Sequence, residues 1–154
     1  MLSQPSSFFI PDWPAPTSIG AAISLRLGGI SKGPFSSNNM ALHVGDNAID
    51  VRVNRDSLIS RLGLLNPPLW LNQVHGTDVI YASDAEEIPD ADGSYTDESQ
   101  TICAVMTADC LPILLCDKAG SEVAAVHAGW RGLCHGVVRQ AVGKFRSPAE
   151  QIMA

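Results

Sequence analysis

Residues 122–145 constrain the fold most. Residues 122–127 form an apolar run heavy in small and β-branched residues, the composition of a strand. Ala128-Gly129-Trp130-Arg131-Gly132 interrupts the run with a glycine turn. Leu133, Val137, Val138, Ala141, Val142 and Phe145 then fall on one helical stripe. A strand that feeds through a tight turn into an amphipathic helix calls for sheet and helix in one core.

The rest of the chain repeats both elements. Residues 1–17, rich in Pro and Ser, read as an irregular lead-in, and 19–27 as a strand with Arg26 near its end. That strand runs into the glycine-rich turn 28–34. Residues 51–62 carry helical spacing, with Asp50 as a candidate cap and Pro67-Pro68 as the stop. Residues 69–75, 79–81, 101–106 and 111–116 read as strands, 79–81 as a hairpin arm. Residues 84–98, with Asp84, Glu86, Glu87, Asp90, Asp92, Asp97 and Glu98 and no cation, read as a solvated acidic loop. Ser147-Pro148 reads as the opening of another helix that stops at Ala154. With 154 residues and no separating linker, the expectation is a single domain over 1–154, incomplete at its C-terminal side. A chain of this size buries roughly 70% of its unfolded surface.

Charge narrows the partners. Ten Lys and Arg against sixteen Asp and Glu give a net charge of −6, the opposite of the basic footprint of a duplex nucleic-acid binder. A phosphate-bearing small molecule needs only one local cation. No apolar stretch approaches the ~18 residues of a membrane span, and no secretory pattern opens the chain. The expectation is therefore a cytoplasmic protein without nucleic-acid or membrane partners, whose four cysteines, Cys103, Cys110, Cys116 and Cys134, stay reduced.

Three residues stand beside tight turns: His75 before Gly76, Cys110 in Thr107-Ala108-Asp109-Cys110-Leu111-Pro112, and His127 before Ala128-Gly129. Two imidazoles and a thiolate are a zinc-competent set that leaves one tetrahedral position for water or substrate. Their wide spacing excludes a zinc finger. Cys110 with His127 also suits a nucleophile and base, and a buried thiol with two hydrogen-bonded histidines is the plain structural alternative. Arg131 and Gly132, where the final helix begins, suit an anion. His43 and Asp92 are candidate proton carriers, although Asp92 in Ala91-Asp92-Gly93 also suits turn chemistry. His135 falls off the apolar stripe and reads as a surface histidine.

Together, Asn72-Gln73-Val74-His75-Gly76, Ala91-Asp92-Gly93, Thr107-Ala108-Asp109-Cys110-Leu111-Pro112 and Val126-His127-Ala128-Gly129-Trp130-Arg131-Gly132 resemble the YfiH family, also called the laccase-like polyphenol oxidoreductase family or the multifunctional purine nucleoside phosphorylases. Residues 24–34, 39–46 and Asn54-Arg55 resemble its N-terminal segments. The resemblance implies an α+β fold with mixed β-sheets layered between helices (α/β/β/α). It implies a metal site on His75, Cys110 and His127, and phosphorolysis of adenosine, inosine, guanosine and methylthioadenosine with deamination of adenosine. Purine nucleoside and phosphate are the implied partners. Copper-dependent phenol oxidation and a Cys-His hydrolase that edits peptidoglycan precursors are the alternatives. The His₂Cys set holds one copper ion in principle, but four histidines do not make a multicopper cluster. Two departures stand out: Leu25 replaces the usual threonine before Arg26, and the family continues beyond Ala154.

Overall fold

Short runs of paired backbone, rather than long elements, organise the computed structural model, which describes residues 7–82 and 88–154. The first six residues of the lead-in and Asp84, Glu86 and Glu87 of the acidic stretch lie outside the described residues. The chain divides into two compact units, residues 1–12 with 21–65 and residues 13–20 with 66–154.

In the first unit, β1 (Phe8–Phe9) pairs antiparallel with β2 (Ile23–Ser24), so the strand expected over 19–27 shrinks to two residues. The reason lies at Arg26. Its carbonyl accepts from Ser37 N–H and Asn38 N–H, and its guanidinium donates to Ser36 O at 2.9 Å and Pro34 O at 3.3 Å. The backbone that would extend the strand closes a loop instead. Helix α1 (Ala48–Leu62) begins earlier than its periodicity suggests. Asn47, not Asp50, caps it, accepting from Ile49 N–H at 2.8 Å. Asp50 sits in the first turn, where the helix dipole favours a carboxylate. Left-handed Gly63 ends the helix before Pro67 is reached. Its buried face is Val51, Asn54 and Arg55, while Val53 is exposed. The Asn54 amide explains this polar stripe: it donates to Ser31 Oγ and Asn39 O and accepts from Ile30 N–H, each at 2.9 Å.

The second unit is built on one mixed sheet of β3 (Val79–Tyr81), β4 (Gly93–Thr96), β5 (Leu111–Asp117), β6 (Val123–Ala128) and a short final strand, β7 (Ile152–Met153), in the order β3-β4-β6-β5-β7. Between β6 and β7 come α2 (Trp130–His135) and α3 (Val137–Val142). β3 and β4 are parallel, so β3 is no hairpin arm; the other pairs are antiparallel. Residues 69–75 and 101–106 form no strands; a single bridge joins Leu69 to Cys103, and another joins Asn72 to Asp90. The acidic stretch is not all solvated: β4 is buried throughout and Asp92 has no exposed surface.

Gly136 divides the final helical stripe. Its φ of +92° ends α2 and starts α3, a turn that a side chain strains. Val137, Ala141 and Phe145 remain on the buried side, packed with Tyr95, Leu115, Ala124, Val126 and Ala128, while Leu133 is exposed. The tail forms one 3-10 turn, Ala149–Gln151, and then β7 on the edge of β5, not the helix expected there. The α+β class with a mixed sheet holds. Among the described residues no helix is long and apolar enough to cross a membrane. Cys116 is buried and Cys134 exposed, and all four thiols are free.

Two buried acids tie the tail to the β5–β6 turn. Asp117 accepts from Ser121 N–H at 2.7 Å, Glu122 N–H at 2.9 Å and Ser147 Oγ at 3.2 Å. Glu122 accepts from Tyr95 O–H, from Arg146 N–H at 2.8 Å and from Ser147 N–H at 3.0 Å. Burial opposes its charge, but the bonds from Tyr95, Arg146 and Ser147 outweigh it and draw the carboxyl from 4.5 down to about 2. A depressed carboxyl contributes stability that is complete above its ordinary value and is lost as pH falls toward the folded one. We expect Glu122→Gln to cost about 2–4 kcal/mol at pH 7, because an amide cannot accept all these donors. Urea denaturation should also show the wild type losing stability more steeply than the variant between pH 5 and 2. Parallel pH profiles would remove Glu122 as the source.

Candidate metal centre

Three loops and one strand carry the site. Alternation along β6 places Ala124, Val126 and Ala128 against α3, so His127 projects from the opposite face of the sheet. His127 is 3% exposed. Cys110 immediately precedes β5 and does not follow a strand. His75 lies in a bend, not at a strand end, with a left-handed φ of +60°. Gln73 joins two of these segments. Its amide donates to Met106 O and accepts from Met106 N–H, both at 2.7 Å, so a side chain closes a backbone-like bridge between the 71–76 and 106–110 segments. Asn72 reaches across to Asp90 Oδ1 at 2.6 Å.

These supports bring together the three residues expected from the sequence. Ligand atoms of His75, Cys110 and His127 all lie within 4.8 Å of one another. Cys110 Sγ stands 3.9 Å from His75 Nε2, and the two imidazoles meet edge-on with centroids 4.7 Å apart. Tetrahedral zinc bonds set neighbouring ligand atoms about 3.3–3.6 Å apart, so only small side-chain shifts are needed. Burial is graded across the set: His127 is buried, Cys110 half-buried and His75 exposed. One side therefore opens to solvent.

Gly129 supplies the space. A Cβ there would stand 3.0 Å from His75 Cδ2, 3.2 Å from Cys110 Sγ and 3.7 Å from His127 Cε1. The backbone thus approaches all three side chains where no other residue fits without displacing them. The nitrogen and sulfur donors and this cradle fit one ion of the zinc or copper type. Gly132 is buried, and a Cβ on it would stand 2.8 Å from Gly76 O, so the start of α2 packs directly on the His75 bend.

Asp92 lies beneath the cluster. Its Oδ1 accepts from His75 N–H at 2.9 Å and faces His127 Nδ1 at 2.8 Å. Its Oδ2 accepts from Gly76 N–H at 2.6 Å and Val74 N–H at 3.3 Å. A carboxylate only accepts, so His127 Nδ1 carries the proton and Nε2 keeps its lone pair. Burial, then the carboxylates of Asp109 and Asp92, push the Cys110 thiol above its ordinary value. Cys103 is pushed to about 11, chiefly by burial, as suits a packing thiol.

The remaining candidates lie elsewhere or differ in setting. Arg131 is exposed, with its guanidinium 5.2 Å from the Trp130 ring centroid, and Trp130 itself is 73% exposed. His135 is exposed on α2. His43 belongs to the first unit, in an exposed turn. The supporting roles of Gln73 and Gly129 were not distinguishable in the sequence, and Gly132, singled out there for an anion, packs on the His75 bend instead. A glutamine that bonds to backbone looks like any polar residue, and only contacts tell a cradle glycine from a turn glycine.

A family model described as multi-copper polyphenol oxidoreductase laccase matches residues 20–154. The chain belongs to this family. It is 48% identical to the purine nucleoside phosphorylase YfiH of Shigella flexneri over 97% of its own length and 62% of that protein. It is 44% identical to a purine nucleoside phosphorylase of Haemophilus influenzae, over 94% of this chain and 59% of the relative. Among solved structures, Neisseria meningitidis protein NMB0706 superposes with a TM-score of 0.91 at 46% identity, covering 96% of this chain and 61% of that one. YlmD from Geobacillus stearothermophilus gives 0.75 at 35% identity, covering 86% and 55%. The chain thus spans about three fifths of the length of these two curated relatives.

If Gly129 is the cradle, Gly129→Ala should weaken zinc binding by about tenfold or more, through displaced ligands, while Gly20→Ala leaves it unchanged, since a Cβ at Gly20 meets nothing within 4 Å. Cys110→Ala should weaken it far more than Cys103→Ala or Cys116→Ala. Chelator competition measures all of these, and equal affinities across the set would exclude the site.

Proposed function

We propose that this chain provides the metal centre of a zinc-dependent purine nucleoside phosphorylase that also deaminates adenosine. The observation that carries the reading is the cluster of His75, Cys110 and His127 within 4.8 Å, open on the His75 side. Relatives up to 48% identical that bear the phosphorylase name supply the reaction class. A zinc ion held there supplies Lewis-acid polarisation and water activation.

The chain's own residues take definite parts. His75, Cys110 and His127 hold the metal. Arg131, exposed beside the site's glycine turn, offers a charge-assisted bond to phosphate, and Gly132 sets the helix start that carries it. The exposed Trp130 face suits an aromatic base, since base stacking contributes about 1–3 kcal/mol. The substrates are adenosine, inosine, guanosine and methylthioadenosine together with phosphate, and the compartment is the cytoplasm.

A metal-free Cys110 nucleophile is less well supported. The imidazole in contact with its sulfur is His75, at 3.9 Å, and among the described residues no carboxylate bonds to that exposed ring to orient it as a base. Neighbouring carboxylates also disfavour the thiolate that attack requires. A copper ion would use the same three ligands.

The test is turnover by a zinc-loaded protein in which this chain is continued to the full length of its relatives. With phosphate, the nucleosides should yield free purine and ribose 1-phosphate (5-methylthioribose 1-phosphate from methylthioadenosine), and adenosine should also yield inosine; both activities should vanish on chelation and return with zinc. No turnover with any of these nucleosides would overturn the reading, and full turnover after chelation would remove the metal from the reaction. Arg131→Ala should raise the phosphate KM about tenfold to hundredfold, the loss of one charge-assisted bond of about 1.5–3 kcal/mol, with a smaller effect on nucleoside KM.

A further inference from the structure

Asp92 has no exposed surface and receives four donors from two separate parts of the chain. Three are consecutive backbone N–H groups of the bend that presents His75. The fourth is the Nδ1–H of His127. The two carboxylate oxygens divide them evenly: Oδ1 takes His75 N–H and His127, and Oδ2 takes Gly76 N–H and Val74 N–H. We infer that Asp92 is the positioning residue of the metal centre, holding two of its three ligands at once, and that it is not a proton carrier. The inference rests on the reading of His75, Cys110 and His127 as a metal site.

Two physical consequences follow from the bond pattern. First, Asp92 selects the tautomer of His127. With Nδ1–H donated to the carboxylate, Nε2 is left as the free lone pair, and such a partner also raises the basicity of a ligating imidazole. Second, Asp92 stabilises the left-handed backbone at His75, a conformation uncommon for a residue with a side chain. Without the three N–H bonds the bend relaxes and carries the exposed His75 ring away from Cys110. Proton transfer to substrate would need a free lone pair and a path to solvent, and Asp92 has neither: all its bonds are internal and its surface is closed.

The isosteric substitution Asp92→Asn shows why charge and shape both matter here. Its amide would set an NH₂ group against donors whichever way it turned. Facing His127, the NH₂ forces the proton from Nδ1 to Nε2 and removes that lone pair. Facing Val74 and Gly76, it opposes two N–H groups and releases the His75 bend. Either orientation weakens at least one histidine ligand, and the third ligand, Cys110, is untouched.

The experiment uses the full chain with zinc and cobalt as probes. Asp92→Asn should weaken zinc binding about 10- to 100-fold in chelator competition, the range seen when partners of metal-bound histidines are removed. Its cobalt form should keep the sulfur-to-metal charge-transfer band but lose intensity in the ligand-field bands. Asp117→Asn is the control: it removes a buried carboxylate with a comparable set of bonds at the other end of the sheet. That variant should melt earlier yet keep wild-type zinc affinity and cobalt spectrum. A direct reading needs no variant: ¹⁵N chemical shifts of His127 in the metal-free wild type should report the Nδ1–H tautomer. Unchanged zinc affinity in Asp92→Asn, or an Nε2–H tautomer in the wild type, overturns the inference. A wild type that binds neither ion would instead overturn the metal reading, and the tautomer measurement would still decide whether Asp92 orders His127.

Discussion

A buried carboxylate with no exposed surface is tolerable only where donors surround it, and Asp92 meets that requirement by recruiting the backbone of one segment and the side chain of another. The consequence reaches beyond its own solvation. The 74–76 bend has no strand to hold it, and its connection to the sheet runs through this carboxylate, the Gln73–Met106 bridge and the close packing of Gly132 on Gly76 O. Rigid β6 supplies one ligand, and polar bonds fix the loop that supplies another to the same frame. A site assembled from loops acquires precision in this way without long secondary structure.

The second buried acid pair does the corresponding work at the opposite end of the sheet. Asp117 ends β5 and Glu122 precedes β6, so their bonds to residues 146 and 147 return the chain after α3 to the β5–β6 turn. Phe145 is thereby seated in the core beside Tyr95, with ring centroids 5.1 Å apart, and β7 is delivered to the edge of β5. Apolar packing lies on the α3 face of the sheet and His127 on the other. The hydrophobic face and the metal face therefore do not compete for the same positions, although they alternate along one strand.

The parts of this arrangement that were legible in the sequence are those with strong local patterns. β5 and β6 show as apolar runs, α1 shows by its periodicity, and His75, Cys110 and His127 show by residue type once the flanking motifs are read together. The misreadings have physical causes. The apolar stripe after His127 passes unbroken through Gly136, and periodicity does not register a single left-handed residue that splits a helix. Residues 69–75 and 101–106 have strand composition but pair through single bridges, because side-chain bonds such as that of Gln73 take the place of a ladder. Asp92 sits in an acidic stretch whose charge density suggests solvent. Its burial depends on donors distant in sequence, which no local window contains. Asn54 on the inner face of α1 is the same case: a polar residue at a core position reads as surface until its loop partners are placed.

Charge explains why the acids sit so near a thiol that would serve as a ligand. Burial first, then Asp109 and Asp92, disfavour the bare thiolate of Cys110, which on its own would make this a poor place for a metal. The balance reverses when the cation is counted. A dication, one thiolate and one buried carboxylate sum to zero, so the carboxylate that opposes deprotonation in the free chain offsets the excess charge in the loaded one. Binding then carries proton release with it, because the ion displaces the proton that the carboxylates help to retain. On the proposed metal reading the site suits the ion and not the free thiolate: the feature that makes Cys110 a weak nucleophile alone would make it, with Asp92 behind the two histidines, part of a nearly neutral metal centre.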